Sequence, residues 1–263
     1  EYLAEQGVRE LILVAQETTV YGKDIYGEKC LHKLLKELCK IPGIQWIRIL
    51  YCYPEEIYPE LIQTMKEEKK ICHYLDLPIQ HCSDKILKKM GRRTTKQELI
   101  DIVALLRKEI PDIILRTTLI TGFPGETEED HEELMEFIDT MEFDRLGVFT
   151  YSAEEDTPAA NMPNQIAEEV KEDRQAELME LQQEISIDKG NDKIGTCVEV
   201  MIEGKVADEN AYVGRTYGDA PNVDGYIFIN TDTELMSGDF ARVHVTGALE
   251  YDLIGELENE YTE

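Results

Sequence analysis

Five short apolar runs punctuate the first 160 residues: LILVAQ (11–16), IRILYCYP (47–54), HYLDLPIQ (73–80), IILRTTLITG (113–122) and RLGVFTYS (145–152). Each is rich in Ile, Leu, Val and aromatic side chains, and between them apolar positions recur at helical spacing, as at Leu99, Ile102, Val103 and Leu106. Strands separated by helices of this length pair in parallel, so the pattern predicts a βα barrel or an open α/β sheet. The segment 166–186 sets Ile166, Val170, Leu178, Leu181 and Ile185 near one face, which predicts a long amphipathic helix joining two domains. The rhythm then changes to β runs with Gly and Asp turns and no helix between them: TCVEVMIEG, AYVGRTY, DGYIFIN and DFARVHVTGALEYDLIGEL. That spacing predicts a small antiparallel barrel. The expected organisation is an α/β domain over 1–165, a linking helix over 166–188 and an all-β barrel over 189–263.

Composition narrows the function classes. No apolar run approaches the roughly 18 residues of a membrane helix. The chain opens EYLAEQGVRELILVAQ, without an initiator Met or a signal-type segment; it reads as the end of a helix already in progress, and a fragment of a cytoplasmic protein is expected. Lys and Arg total 27 against 55 Asp and Glu, a net charge of -28. Such a field repels phosphate backbones and favours a basic partner, unless it serves only solubility. The six cysteines, Cys30, Cys39, Cys52, Cys72, Cys82 and Cys197, lie at least nine residues apart. That spacing excludes a local CxxC site and predicts reduced thiols.

In parallel α/β folds the ligand sits at the carboxyl ends of the strands. Those ends carry Gln16-Glu17, Tyr53-Pro54, Gln80-His81-Cys82-Ser83, Gly122-Phe123-Pro124-Gly125-Glu126 and Tyr151-Ser152. In TLITGFPGE (118–126) a strand empties into two glycines and a proline just where a helix must start, either as plain turn chemistry or to let a ligand lie against bare backbone. Arg116 lies inside an apolar strand and requires an anion, either a ligand carboxylate or an internal partner such as Asp76. His81 suits either a general acid–base role or a hydrogen-bonding wall, and Tyr151 either stacks on a ring or packs.

Four segments in order, VAQETTVYG (14–22), DLPIQHCSDKILKKMGRR (76–93), RTTLITGFPGETEED (116–130) and YSAEEDTPAA (151–160), resemble the methylthiotransferases of the radical S-adenosylmethionine (SAM) superfamily. The β runs after them are similar to that family's TRAM domain. The resemblance implies a radical SAM (βα) barrel missing its first strand, followed by a TRAM-like antiparallel barrel. It implies S-adenosylmethionine as cofactor, with Gln16 and Glu17 at the methionine amino group and Arg116 at its carboxylate. Gly122 and Gly125 would lie beside the adenosyl group, the backbone of Phe149 to Tyr151 along the adenine, and Gln80 on the same rim. The family carries two [4Fe-4S] clusters, one on CxxxCxxC, a motif these residues do not contain. No cluster is therefore expected on this chain, which alone should be inactive. Its first strand's truncated edge is expected to be disordered or covered by a partner.

Two branches of that family compete, one acting on an adenosine of transfer RNA, the other on an aspartate of small-subunit ribosomal protein S-twelve. VGRTYGDAPNVDGYIFI (213–229) resembles the second branch, and marks Arg215, Tyr217, Asp219 and Asp224 as candidate substrate contacts, unless they form a corner that merely folds. From residue 191 onward, four Lys and Arg face sixteen Asp and Glu, a balance that suits a basic ribosomal protein and makes nucleic acid an unfavoured partner. The chemistry implied by the resemblance begins with reductive cleavage of S-adenosylmethionine, with electrons from a reductant protein. The radical formed takes hydrogen from the aspartate β-carbon, and a methylthio group is then inserted. A non-catalytic α/β scaffold with a TRAM binding module is the alternative. A conventional metal-independent enzyme is disfavoured, because no nucleophile and base pair is recognisable.

Overall fold

A computed structural model of the chain describes residues 1–207 and 209–260. Five parallel strands, β1 (Glu10–Leu13), β2 (Trp46–Ile49), β3 (Ile71–Asp76), β4 (Ile114–Thr121) and β5 (Arg145–Thr150), lie side by side in sequence order as an open sheet. Helix α1 (Tyr2–Glu5) precedes β1, and the connections carry helices α2 (Lys23–Tyr26), α3 (Leu31–Cys39), α4 (Pro59–Glu67), α5 (Asp84–Lys89), α6 (Lys96–Glu109) and α7 (Glu128–Met141); α8 (Glu168–Asn191) follows β5. Successive strand residues face opposite sides, so β4 sends Leu115 and Leu119 into the main core with Leu99, Leu106, Leu134 and Ile138 of the helices. Ile114, Arg116, Thr118 and Ile120 alternate onto the concave face. The β1 edge is regular, not disordered: it pairs with β2 over four residues and leaves its other edge unpaired by any described strand.

Helix α8 runs past the expected end to Asn191, and its buried stripe is only partly apolar. Leu178 and Ile185 are buried, but so are Lys171, Arg174, Gln182 and Ser186, while Val170 is exposed. The reason lies in β5, the outer strand of the sheet. Lys171 Nζ donates to the Tyr151 carbonyl at 2.8 Å, Gln175 Nε2 to that of Val148 at 2.6 Å and Gln182 Nε2 to that of Phe143 at 2.9 Å. A helix lying over a sheet edge must satisfy the acceptors it covers, and apolar residues cannot.

The second unit closes as a five-stranded barrel of β6 (Cys197–Lys205), β7 (Ala211–Thr216), β8 (Ile227–Asn230), β9 (Phe240–Ala248) and β10 (Leu253–Leu257), in the ring order β10-β8-β7-β6-β9. Val200, Ile202, Ile227, Ile229, Val243 and Val245 fill it. One pair, β8 with β10, is parallel where an antiparallel barrel was expected. A closed ring with an odd number of strands cannot alternate direction throughout, so one parallel neighbour is forced. The barrel docks its β6 and the β7–β8 loop under the concave face of the sheet, where Met201, Ala220 and Phe240 meet Trp46, Tyr74 and Ile114. Phe240 stands edge-on to Trp46 at 4.9 Å between ring centres.

Candidate functional site

The carboxyl ends of β3, β4 and β5 surround a cleft of about 640 Å³. Its floor is apolar: Phe123 and Tyr151 meet edge-to-face at 5.1 Å, with Ile86, Met90, Ile120 and Met162 packed around them. Three polar atoms on residues lining it are buried without a hydrogen-bond partner: Gln80 Oε1, the Tyr151 hydroxyl and Arg92 Nε. Buried polar groups in folded proteins are normally satisfied; five other described atoms share this state elsewhere in the chain, and what sets the cleft apart is that three of them line one space, which makes it the candidate site. Gln80 is also held at a positive φ of 73°, pinned by its N–H to Thr118 O (2.9 Å) and its carbonyl to Ile120 N–H (2.8 Å). A non-glycine residue there carries strain that function can retain.

Arg92 is the cation of this rim. Its guanidinium lies 4.4 Å over the Tyr53 ring and donates through Nη2 to the Pro78 carbonyl at 2.5 Å. It forms no ion pair among the described residues, in a chain with 55 acidic side chains. Lys89, beside it, reaches only the carbonyls of Pro124 and Gly125, at 3.3 and 3.5 Å. The run KKMGRR ends one of the segments that carry the family resemblance, but neither cation was expected at the site. The one available clue was a cluster of positive charge just after a strand end in a strongly acidic chain.

The GFPGE turn is organised from within. Glu126 Oε2 accepts from the N–H groups of Gly122 (2.7 Å) and Phe123 (3.2 Å), and Oε1 from Arg174 Nη1 of α8 (2.9 Å). Burial pushes the Glu126 carboxyl up, against the pull of Arg174 and the two N–H groups. Lysines, rather than open space, lie against both glycines: a Cβ at Gly122 would collide with the Lys171 chain, and one at Gly125 with Lys89 Nζ. The turn then passes directly into α7, whose start is fixed by a reciprocal Thr127–Asp130 cap. His81 is fully buried; its Nδ1 accepts from the N–H groups of Cys82 (3.0 Å) and Ser83 (2.9 Å), and burial drives its pKa down to about 4. It is a neutral wall residue, not a proton shuttle near pH 7.

The cofactor candidates separate into different places. Gln80, Phe149 and Tyr151 share the cleft. Glu17 does not: it lines another cleft, of about 750 Å³, along β1. Its Oε1 accepts from the Thr19 N–H (2.9 Å) and hydroxyl and its Oε2 from the Tyr53 N–H (2.7 Å), while burial raises its pKa. Gln16 is exposed on the same loop. Arg116 has the internal partner that sequence left open, Asp76 at 2.8 Å, together with Asp224 at 3.3 Å.

The four candidate substrate contacts form the seam between the two units. Arg215 Nη2 meets Glu10 at 2.6 Å, its Nε Glu203 at 2.6 Å, and its Nη1 the Asp219 carbonyl at 2.8 Å. Asp219 takes Arg145 at 2.5 Å; its burial would raise its pKa, but Arg145 and Lys193 hold it below the usual range. Asp224 accepts from the Tyr74 hydroxyl at 2.7 Å, and the Tyr217 hydroxyl donates to Asp112 O at 2.8 Å. Arg48, wholly buried, bridges Glu10 (2.8 Å) and the Tyr217 carbonyl (2.6 Å). Each of the four thus has its polar groups engaged by this chain.

The cysteines do not fit an iron–sulfur cluster. Among the described residues no three His, Cys, Asp or Glu side chains come together as a metal site. Burial pushes the thiols of Cys39 up to about 11 and of Cys72 and Cys82 up to about 12, whereas a cluster ligand must be a thiolate. No helix among the described residues is long and apolar enough to cross a membrane.

A parallel sheet that leaves polar atoms unmet at its carboxyl rim, while a second unit packs against it, is an α/β architecture whose strand ends form the candidate site. The chain belongs to the radical SAM superfamily, whose profile matches residues 1–138; the TRAM domain profile matches residues 194–257. The protein named ribosomal protein uS12 methylthiotransferase RimO in Lachnoclostridium phytofermentans is 64% identical over 258 residues, covering 98% of this chain and 59% of that protein. Proteins of the same name from Clostridium botulinum (strain Langeland) and Clostridioides difficile are 55% and 51% identical over 99% and 97% of this chain, and 58% and 57% of their own lengths. The chain thus spans somewhat under three-fifths of these relatives.

Proposed function

We propose that the full-length protein is a radical SAM methylthiotransferase that adds a methylthio group to the β-carbon of an aspartate in ribosomal protein uS12, in the cytoplasm. The observation that carries this reading is the high identity, across nearly all of this chain, to relatives named for that activity. The acidity of the second unit agrees with a basic protein substrate.

The cleft at the ends of β3 to β5 suits S-adenosylmethionine. Arg92, rather than the neutralised Arg116, is the group for the methionyl carboxylate, with the Gln80 amide facing the same polar end. Phe149 and Tyr151 offer faces to the adenine, over the Phe123 floor. Gly122 and Gly125 contribute through the shape of the turn beneath. When bound, S-adenosylmethionine would supply the radical chemistry of the reaction on accepting one electron, delivered from a reductant protein through a [4Fe-4S] cluster held outside these residues.

The test is mass spectrometry of uS12 and of transfer RNA after incubation of the anaerobically reconstituted full-length protein with S-adenosylmethionine and a reductant. One methylthio group gained on a uS12 aspartate, with transfer RNA unchanged, is the expected result. Modified transfer RNA, or no product with intact clusters, overturns the reading.

A further inference from the structure

A third cleft, of about 580 Å³, runs along the seam beside β5. One wall is the concave face of β5 with Gly147 and Phe149; the other is built by the second unit, at Val223 and at Tyr251 and Asp252. Phe149 lines this groove and the cofactor cleft alike, and it is 59% exposed, so the two spaces meet at its ring. Val223, 54% exposed, and Tyr251 give the groove apolar contact surface outside either core.

Of the four charged side chains along it, only Asp252 is outside an ion pair among the described residues. Its two arginines are spent, Arg116 on Asp76 and Asp224, and Arg145 on Asp219. Asp252 accepts only from the Tyr226 N–H, at 2.7 Å, and forms no ion pair among the described residues. From residue 191 onward the chain carries sixteen acidic side chains against four basic ones. A phosphate backbone finds no available cation here; a basic polypeptide finds a carboxylate, apolar contacts and a favourable field.

We infer that this groove holds a basic, extended segment of the protein substrate and leads its target residue past Phe149 to the cofactor cleft. The inference rests on the functional reading above and adds a route and a docking surface to it. Val223→Arg puts a like charge in the path of such a segment at an exposed position. Gly147→Ala narrows the groove from its wall: a Cβ there meets Arg116 Nη2 at 3.7 Å and Phe149 Cε2 at 3.9 Å, ordinary contacts that displace neither.

Fluorescence anisotropy of labelled uS12, and separately of transfer RNA, on the full-length protein decides the matter, with S-adenosylhomocysteine binding measured alongside. Both variants are expected to bind uS12 at least tenfold more weakly and S-adenosylhomocysteine as the parent does. Parent-like uS12 binding by both variants overturns the groove and leaves the functional reading standing. A parent protein that binds transfer RNA and not uS12 overturns both.

Discussion

The rim at the strand ends and the seam with the second unit are both built from arginines, carboxamide or carboxylate groups and tyrosines. They differ in how far their polar atoms are met. At the seam Arg116, Arg145 and Arg215 each face one or more carboxylates, and Arg48 shares Glu10 with Arg215 while its guanidinium lies 4.6 Å over the Tyr74 ring; its Nη2 is the one seam atom without a hydrogen-bond partner among the described residues. At the rim Arg92 has a carbonyl and an aromatic face but no carboxylate, and Gln80 and Tyr151 keep orphan atoms. The same residue types therefore perform different tasks: where the chain supplies both partners they hold two units together, and where it supplies one they await a ligand.

The largest effect expected from this contrast lies at the seam. Arg145→Met leaves Asp219 buried without its main counter-charge and should cost about 3–5 kcal/mol of stability in urea unfolding. Adding Asp219→Asn should recover part of that loss, because the stranded charge is gone. Unchanged stability in the single variant would mean that the seam is looser than its distances indicate.

The second expectation concerns pH. His81 is held neutral down to about 4, against an ordinary 6.5. Above pH 6.5 neither folded nor unfolded chain protonates it; between 6.5 and 4 only the unfolded chain does, so stability falls as pH falls. The full drop is about 3 kcal/mol. Buried Glu126 and Asp224, whose carboxyls are pushed up, act in the opposite sense over part of that window. The informative quantity is thus the difference from His81→Asn, which keeps an acceptor for the Cys82 and Ser83 N–H groups. Parallel melting curves for the two proteins across this window would remove His81 as the cause.

The smallest effect should come from the sheet edge. Gln175→Leu uncovers the Val148 carbonyl on β5 and should lower stability by about 1 kcal/mol, with faster amide exchange along β5. If exchange there does not change, α8 protects the edge by packing alone.

Sequence made the sheet legible because buried parallel strands are dense in Ile, Leu and Val, and the interrupted rhythm after residue 190 marked the second unit. It also brought Gln80, Phe149 and Tyr151 to one rim, since strand ends converge by topology. The seam was harder to read because charged residues in a loop such as RTYGDAPNVDG are normally solvated. Its trace was nevertheless present: Glu10, Arg48, Arg116 and Arg145 each sit inside or at the start of an apolar strand, and internal arginines demand internal carboxylates. Arg92 was hidden for the opposite reason, since a basic run looks solvated until its neighbours are seen to offer it no acid. The polar stripe of α8 escaped apolar periodicity because it answers backbone acceptors rather than hydrophobic surface.

The most direct test of the contrast is a paired substitution in the full-length protein, Arg92→Met and Arg116→Met, each assayed for thermal unfolding and for S-adenosylhomocysteine binding by calorimetry. Arg92→Met should cost only about 1 kcal/mol of stability, from the Pro78 carbonyl it uncovers, and lose about 10–100-fold in affinity, the worth of a charged hydrogen bond. Arg116→Met should do the reverse, losing about 3–5 kcal/mol of stability with affinity retained below its melting point. Ligand affinity lost in Arg116→Met and kept in Arg92→Met would contradict the assignment of rim and seam.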